Sequence, residues 1–234
     1  MAIATRRGLI IGAGAIAFTG TALAQTAPLA TTPTMDLGPY YPVVKPGDRD
    51  RDLTRVKGRK GRAKGQVMLL TGRVINKAGL PITNAAIEIW QCDANGRYAH
   101  PSEDTAYSTG EIDPFFQHYA QQKTDADGRY SFLTIAPPPY PGGMGPDGPI
   151  MRSPHIHFDV AGKRQRRVTA MYLPGTDPKI LKDDFVLRGD LYENAIKDFN
   201  LEKEMAPVLG RISDTGPGLE PGAKLCTWDI VLEG

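Results

Sequence analysis

Three observations predict an all-β fold: a β-sandwich core of prealbumin or immunoglobulin type with long loops, an N-terminal arm and a short helical excursion near the C-terminus. Six or seven short segments alternate apolar and polar residues or run apolar. Gly, Asn and Asp turns separate them. No strand–helix–strand rhythm runs through the chain, which argues against a parallel sheet with crossover helices.

The elements follow in order. Residues 67–75 read as a strand, closed by a turn at Ala78, Gly79, Leu80 and Pro81. Residues 86–91 alternate, so Ile87 and Ile89 share one face. Asp93, Ala94, Asn95 and Gly96 make the next turn. The run Asp-Ala-Asp-Gly at 125–128 turns tightly into a strand over 129–135. Residues 136–143 carry prolines at 137, 138, 139 and 141 and read as a rigid loop around Tyr140. Strands follow over 154–161, 167–173 and 225–232, and helical spacing marks 183–205.

At 234 residues the chain holds one sizeable domain with arms. Residues 1–24 have the form of a twin-arginine signal peptide: Arg6 and Arg7, an apolar run over 9–18, then Ala22-Leu23-Ala24 ahead of Gln25. The run is short and rich in Gly and Ala for a membrane span, so an uncleaved anchor is the lesser reading. A periplasmic protein with no membrane contact after cleavage is expected, and the twin-arginine route passes folded cargo. Losing Arg6 and Arg7 takes the formal charge from +2 to 0. No global field then points to nucleic acid or an anionic membrane as partner.

Residues 25–65 form the arm and residues 66–234 the β-sandwich domain. Between Asp48 and Lys64 the arm has eight basic and three acidic residues. That pattern is expected to be a solvated stretch, with a subunit contact or an anion lure as the minor reading. Cys92 and Cys226 lie in apolar segments and are equally consistent with a disulfide or two buried thiols.

His155 and His157 are the chemically informative pair. Alternation along a strand puts both imidazoles on one face, about 7 Å apart along the chain, with Ile156 and Phe158 on the other. Two imidazoles so placed can share a metal ion if further ligands close the site. Alone, they are equally consistent with two partly exposed strand histidines.

Tyr98 after the 93–96 turn, Tyr140 in the proline loop and Arg152 ahead of the histidines complete a pattern. Gly72-Arg73-Val74, the stretch from Gly79 to Gln91, Asp93 to Tyr98, Thr124 to Phe132, Tyr140-Pro141 and His155 to Phe158 occur in one order. In this the chain closely resembles the intradiol ring-cleavage dioxygenases, the protocatechuate 3,4-dioxygenase β-like chains in particular, over about residues 66 to 177 and the last strand.

The resemblance implies a non-haem Fe(III) held by Tyr98, Tyr140, His155 and His157, a set of hard phenolate and imidazole donors that suits ferric iron. It implies that a catecholic small molecule binds the iron, displaces Tyr140 and reacts with O2 to give a muconate-type diacid. Tyr140 acts as a base in this scheme, and Arg152 stabilises carbanion charge. Substrate contacts would fall to Tyr40, Trp90, Gly142 and Ala170. Gly142 and Ala170 stand where the protocatechuate enzymes carry Trp and Gln, so the pocket is recut around the ring. Gly38-Pro39-Tyr40 matches a motif that an α subunit supplies in the family. A homo-oligomer sharing this arm is therefore expected, with Tyr40 or Tyr41 near substrate and a hetero-oligomer as the alternative.

Two other classes compete. A metal-free transthyretin-like binding module uses the same strand grammar without needing the five site residues together. A zinc or copper enzyme would need His100 or His118 as third ligand, and a hydrolytic zinc site would also want a carboxylate.

Overall fold

The computed structural model describes residues 27–103, 110–184, 186–187 and 205–233. The expected signal peptide over 1–24 and most of the helical segment over 183–205 lie outside the described residues. Among the latter, strands dominate and the only full α-helix turns are α1, Pro178–Asp183.

The first sheet is built on β1 (Val67–Asn76). β4 (Arg129–Ile135) pairs with it antiparallel, from Val67 opposite Ile135 to Arg73 opposite Arg129. β10 (Lys224–Thr227) and β11 (Ile230–Leu232) pair with it in parallel along successive stretches, and β9 (Arg211–Ser213) adds to β10. The single strand expected over 225–232 is thus interrupted at Trp228 and Asp229. No residue is inserted: Thr71 faces Thr227 and Val74 faces Ile230. At the break the Tyr130 hydroxyl donates to the Trp228 carbonyl at 2.6 Å, and an Asp229 carboxylate oxygen accepts from the Arg73 N–H at 2.9 Å. Side chains replace the missing ladder bonds.

The second sheet is antiparallel, in the order β3 (Tyr119–Lys123), β2 (Ala86–Trp90), β7 (His155–Ala161) and β8 (Arg166–Tyr172). Neither β3 nor β9 is evident from apolar alternation, because Tyr119-Ala-Gln-Gln-Lys123 and Arg211-Ile-Ser213 are mostly polar. A third pair, β5 (Tyr140–Gly145) and β6 (Gly148–Arg152), forms a hairpin where residues 136–143 read as a loop. The Pro146-Asp147-Gly148 turn is its sequence signal.

One hydrophobic cluster joins the two sheets. Met68, Leu70, Phe132 and Ile230 from the first meet Ile87, Ile89, Ile156, Phe158 and Val160 from the second. Cys226 lies in the same cluster, while Cys92 packs with Trp90 and Tyr98; both are free and buried, so they do not pair.

The arm is less solvated than its charge suggests. Thr32 and Val231 exchange bonds, the Met35 N–H reaches the Val168 carbonyl, and Leu53 bonds with Leu133 while its side chain is fully buried in the shared core. The apolar residues among the charges fix the backbone, and long basic side chains such as Arg55, Lys57, Arg59 and Lys60 stay exposed. The arm therefore laps both sheets.

Replacing Tyr130 with Phe removes the bond that seals the strand break and leaves the Trp228 carbonyl without it. Urea unfolding should show a loss of about 1–2 kcal/mol. An unchanged midpoint would mean that the break needs no seal.

Candidate metal centre

The outer face of β7 makes the site. His155 and His157 alternate with Ile156 and Phe158, which enter the core, so the imidazoles project from the opposite side of the same strand. Both are buried and their Nε2 atoms face each other at 3.1 Å. His155 Nδ1 lies 2.6 Å from the Ser153 carbonyl. A carbonyl only accepts, so Nδ1 carries the proton and Nε2 offers its lone pair inward. Burial, reinforced by Arg152, lowers the His155 pKa to about 4. Burial, His155 and Arg152 push His157 well below its usual range. Both rings are neutral near pH 7, the form that binds metal.

Neighbouring elements close the pocket. Trp90, opposite His157 on β2, stacks flat on its ring at 4.9 Å and 3°. Ala170 on β8 is opposite His157 from the other side, and Tyr172 is opposite His155 with its ring 5.4 Å away. Tyr140 begins β5 directly across from Arg152 at the end of β6, and Ser153-Pro154 leads at once into His155. This hairpin is why a tyrosine, an arginine and a histidine that are spread over the sequence become neighbours. Gly142 sits at the irregularity between Pro141 and Gly143 in the same strand, half-exposed.

Tyr98 arrives from the loop after β2. Asp93 holds that turn by accepting from the N–H groups of Asn95, Arg97 and Asp113. Glu103 pairs with Arg97 at 2.8 Å and accepts from the Tyr98 N–H at 2.7 Å. Gly96, at φ +74°, makes the approach possible: a Cβ there would lie 2.8 Å from Tyr140 Cβ. The two phenol rings meet edge-on at 5.5 Å. Burial raises both hydroxyl pKa values well above the ordinary phenol range, helped at Tyr98 by the facing Tyr140 and opposed at Tyr140 by Arg152.

The arm is the lid of the site. Gly38, at φ +70°, lies so close that a Cβ would be 3.2 Å from His157 Cε1. Tyr40 stacks on Tyr98 at 4.5 Å, and Tyr41 meets Trp90 edge-on at 4.9 Å. Tyr41 donates to Glu88 at 2.6 Å, and Lys45 forms an ion pair with the same carboxylate. Burial opposes Glu88 ionisation, but Lys45 and Tyr41 outweigh it and hold its pKa below normal. Glu88 and Lys45 carry no sequence signal of this clasp, since their partners are more than forty positions away.

Tyr98, Tyr140, His155, His157 and Arg152 are thus brought together, and Tyr40, Trp90 and Ala170 border them. His118 stands elsewhere, against Phe116, and His100 only touches the Tyr40 ring edge at 5.9 Å. Neither supplies a third imidazole. Among the described residues no group of three or more His, Cys, Asp or Glu gathers for a metal. The donors are two imidazoles and two phenols, and Tyr98 Oη and His157 Nδ1 are buried without a hydrogen bond of good geometry. A buried orphan hydroxyl costs about 1–3 kcal/mol, which a cation bound there would offset. Two phenols and two neutral imidazoles fit a ferric ion better than zinc, because only a highly charged ion ionises both phenols.

Comparison with known proteins gives the same direction. The family described as Dioxygenase matches residues 37–234. A protocatechuate 3,4-dioxygenase beta chain from Burkholderia cepacia is 40% identical over 147 residues, 62% of this chain and 60% of that one. A hydroxyquinol 1,2-dioxygenase from Rhodococcus opacus is 33% identical over 186 residues, covering 74% and 55%. The chain therefore spans 60% or less of these two relatives. Among solved structures, the dioxygenase domain of a dioxygenase–carbohydrate-binding protein fusion from Streptomyces sp. SirexAA-E matches with TM-score 0.58 and 25% identity, over 87% of this chain and 99% of that one. Catechol 1,2-dioxygenase from Pseudomonas arvilla C-1 shares the fold with TM-score 0.58 at 22% identity, over 87% and 62%.

Two outcomes follow from this geometry. Gly96→Ala should lose about 1–2 kcal/mol to backbone strain and, by separating Tyr98 from Tyr140, should lower the iron bound per chain in metal analysis; full iron content would contradict the close approach. The clasp's stability is complete above the ordinary carboxylate range and is lost as pH falls through the lowered Glu88 value. Urea midpoints taken downward from roughly pH 6 should therefore fall more steeply in the wild type than in Glu88→Gln; parallel curves would remove Glu88 from the lid.

Proposed function

The chain belongs to the dioxygenase family that spans residues 37–234, and on that premise we propose that it opens a catechol-type ring between the two hydroxyl-bearing carbons, using O2 and forming a muconate-type diacid. The observation that carries this reading is the convergence of two neutral imidazoles and two phenols in one buried pocket beside a buried arginine. Ferric iron would supply Lewis acidity that activates an electron-rich catechol toward O2. Tyr98, Tyr140, His155 and His157 are the residues that would hold it.

The rest of the chemistry belongs to the chain. His155 Nε2 and His157 Nε2 present lone pairs, because burial and Arg152 keep both rings unprotonated. As a phenolate, Tyr140 is basic enough to take a proton from a catechol hydroxyl, since burial raises its pKa. Arg152 keeps a positive charge next to Tyr140 and Tyr98, where it stabilises negative charge that develops on the ring. The Trp90 stack and the residues 38–41 exclude water from one side. Gly142 and Ala170 border this site with small residues where the protocatechuate enzymes carry Trp and Gln, so we expect a catechol other than protocatechuate as substrate.

We read the paired sheets as the prealbumin or immunoglobulin kind of sandwich, supported by their common core. Residues 1–24 support export to the periplasm. Tyr40 and Trp90 are read as substrate neighbours from their stacking on Tyr98 and His157. A metal-free binding module leaves the buried Tyr98 Oη unexplained.

Purified with ample iron, the protein should be burgundy from phenolate-to-iron charge transfer, and catechol added without O2 should shift that band. With O2, a panel of catechol, protocatechuate, hydroxyquinol and larger catechols should give muconate-type diacids from at least one member. Colourless protein that leaves every member intact would refute the reading.

A further inference from the structure

Asp184 is fully buried, just past α1, and nothing in its local sequence marks it as part of a site. Its carboxylate Oδ1 accepts from Arg152 Nε at 3.0 Å, and Oδ2 accepts from the Ser153 N–H at 2.7 Å. The Ser153 carbonyl in turn accepts a hydrogen bond from His155 Nδ1–H at 2.6 Å. Pro154 follows, which holds Ser153 in extended backbone and makes the link from Asp184 to the imidazole short and stiff.

Oδ1 also accepts from the N–H groups of Val186 and Leu187 at 3.1 and 3.3 Å, so a plain helix-capping role is the competing explanation. Capping occupies Oδ1 alone. It does not require the second oxygen on Ser153 or a buried guanidinium at the first.

We infer that Asp184 is a positioning residue of this site: one carboxylate sets the guanidinium of Arg152 beside Tyr140 and, through Ser153, aims His155 Nε2 at the metal. The inference rests on the iron-site reading above. It gives the carboxylate the part that outer-shell groups play around metal ligands, fixing ring orientation and tautomer. It also sets a negative charge directly against the Arg152 guanidinium.

Asp184→Asn separates the two explanations, because Asn caps a helix about as well as Asp. The amide keeps one acceptor, loses the charge, and turns an N–H toward the Ser153 N–H. With Asp184 as a positioning residue, the iron-loaded variant shows a shifted visible charge-transfer band and altered ferric EPR. Its kcat per iron falls roughly 10- to 100-fold, with a much smaller change in KM. A folded variant with the wild-type band, EPR and kcat would reduce Asp184 to a cap and overturn the inference. If Asp184→Asn does not fold, Asp184→Glu, which keeps the charge but displaces both oxygens, is judged by the same band and kcat, with the same two outcomes.

Failure of the underlying reading looks different. If the wild type neither colours with iron nor cleaves catechols, the functional proposal falls. Nitrogen-15 shifts of His155 in the metal-free protein then decide the positioning role: Asp184→Asn should release the Nδ1 proton from Ser153, and an unchanged tautomer would overturn it.

Discussion

The two faces of β7 hold this molecule together and give it its chemistry at once. Successive side chains on a strand point in opposite directions, so Ile156, Phe158 and Val160 can be dry packing while His155 and His157 stand one residue away as donors. The core on one side fixes the strand to a fraction of an ångström, and the imidazoles inherit that precision. A slip of one residue would exchange the two sets and destroy both. Cross-strand pairing with β2 and β8 on both edges removes that freedom.

Around this strand the remaining donors come from elements with little regular structure of their own. Tyr98 sits on a loop held by Asp93 and Glu103, and Tyr140 on a hairpin strand of sequence Tyr-Pro-Gly-Gly-Met-Gly. Their positions are set by polar anchors and by glycine at 96, not by apolar burial. Such sites are stiff only while every anchor is made. The carboxylates of Asp93, Glu103 and Asp184 supply such anchors.

Much of this could be read in the residues. Strands β1, β2, β4, β7 and β8 show period-two or apolar runs, and their boundaries lie within a residue or so of those expected. The donors Tyr98, Tyr140, His155 and His157 were legible as a pattern, and the structure brings them to one place. What escaped was non-local or compositionally weak. β3 is too polar, β5 too rich in glycine and proline, and the break at Trp228 depends on a hydroxyl nearly one hundred positions away. Asp184 and Glu88 acquire meaning only through partners that the chain brings round from elsewhere. The charged arm misled in a different way: its composition is that of a solvated stretch, yet Leu53 and Met35 are enough to tie it down.

The parallel pairing of β1 with β10 and β11 has a consequence in time. Residues 67–76 find half of their hydrogen-bonding edge only in residues 224–232. A ribosome would have to release the last strand before the first could be completed, so the sheet cannot settle progressively during synthesis. The interval leaves the apolar inner faces uncovered and the four donors apart. Covering of the apolar faces and assembly of the site residues therefore both wait until Leu232 docks.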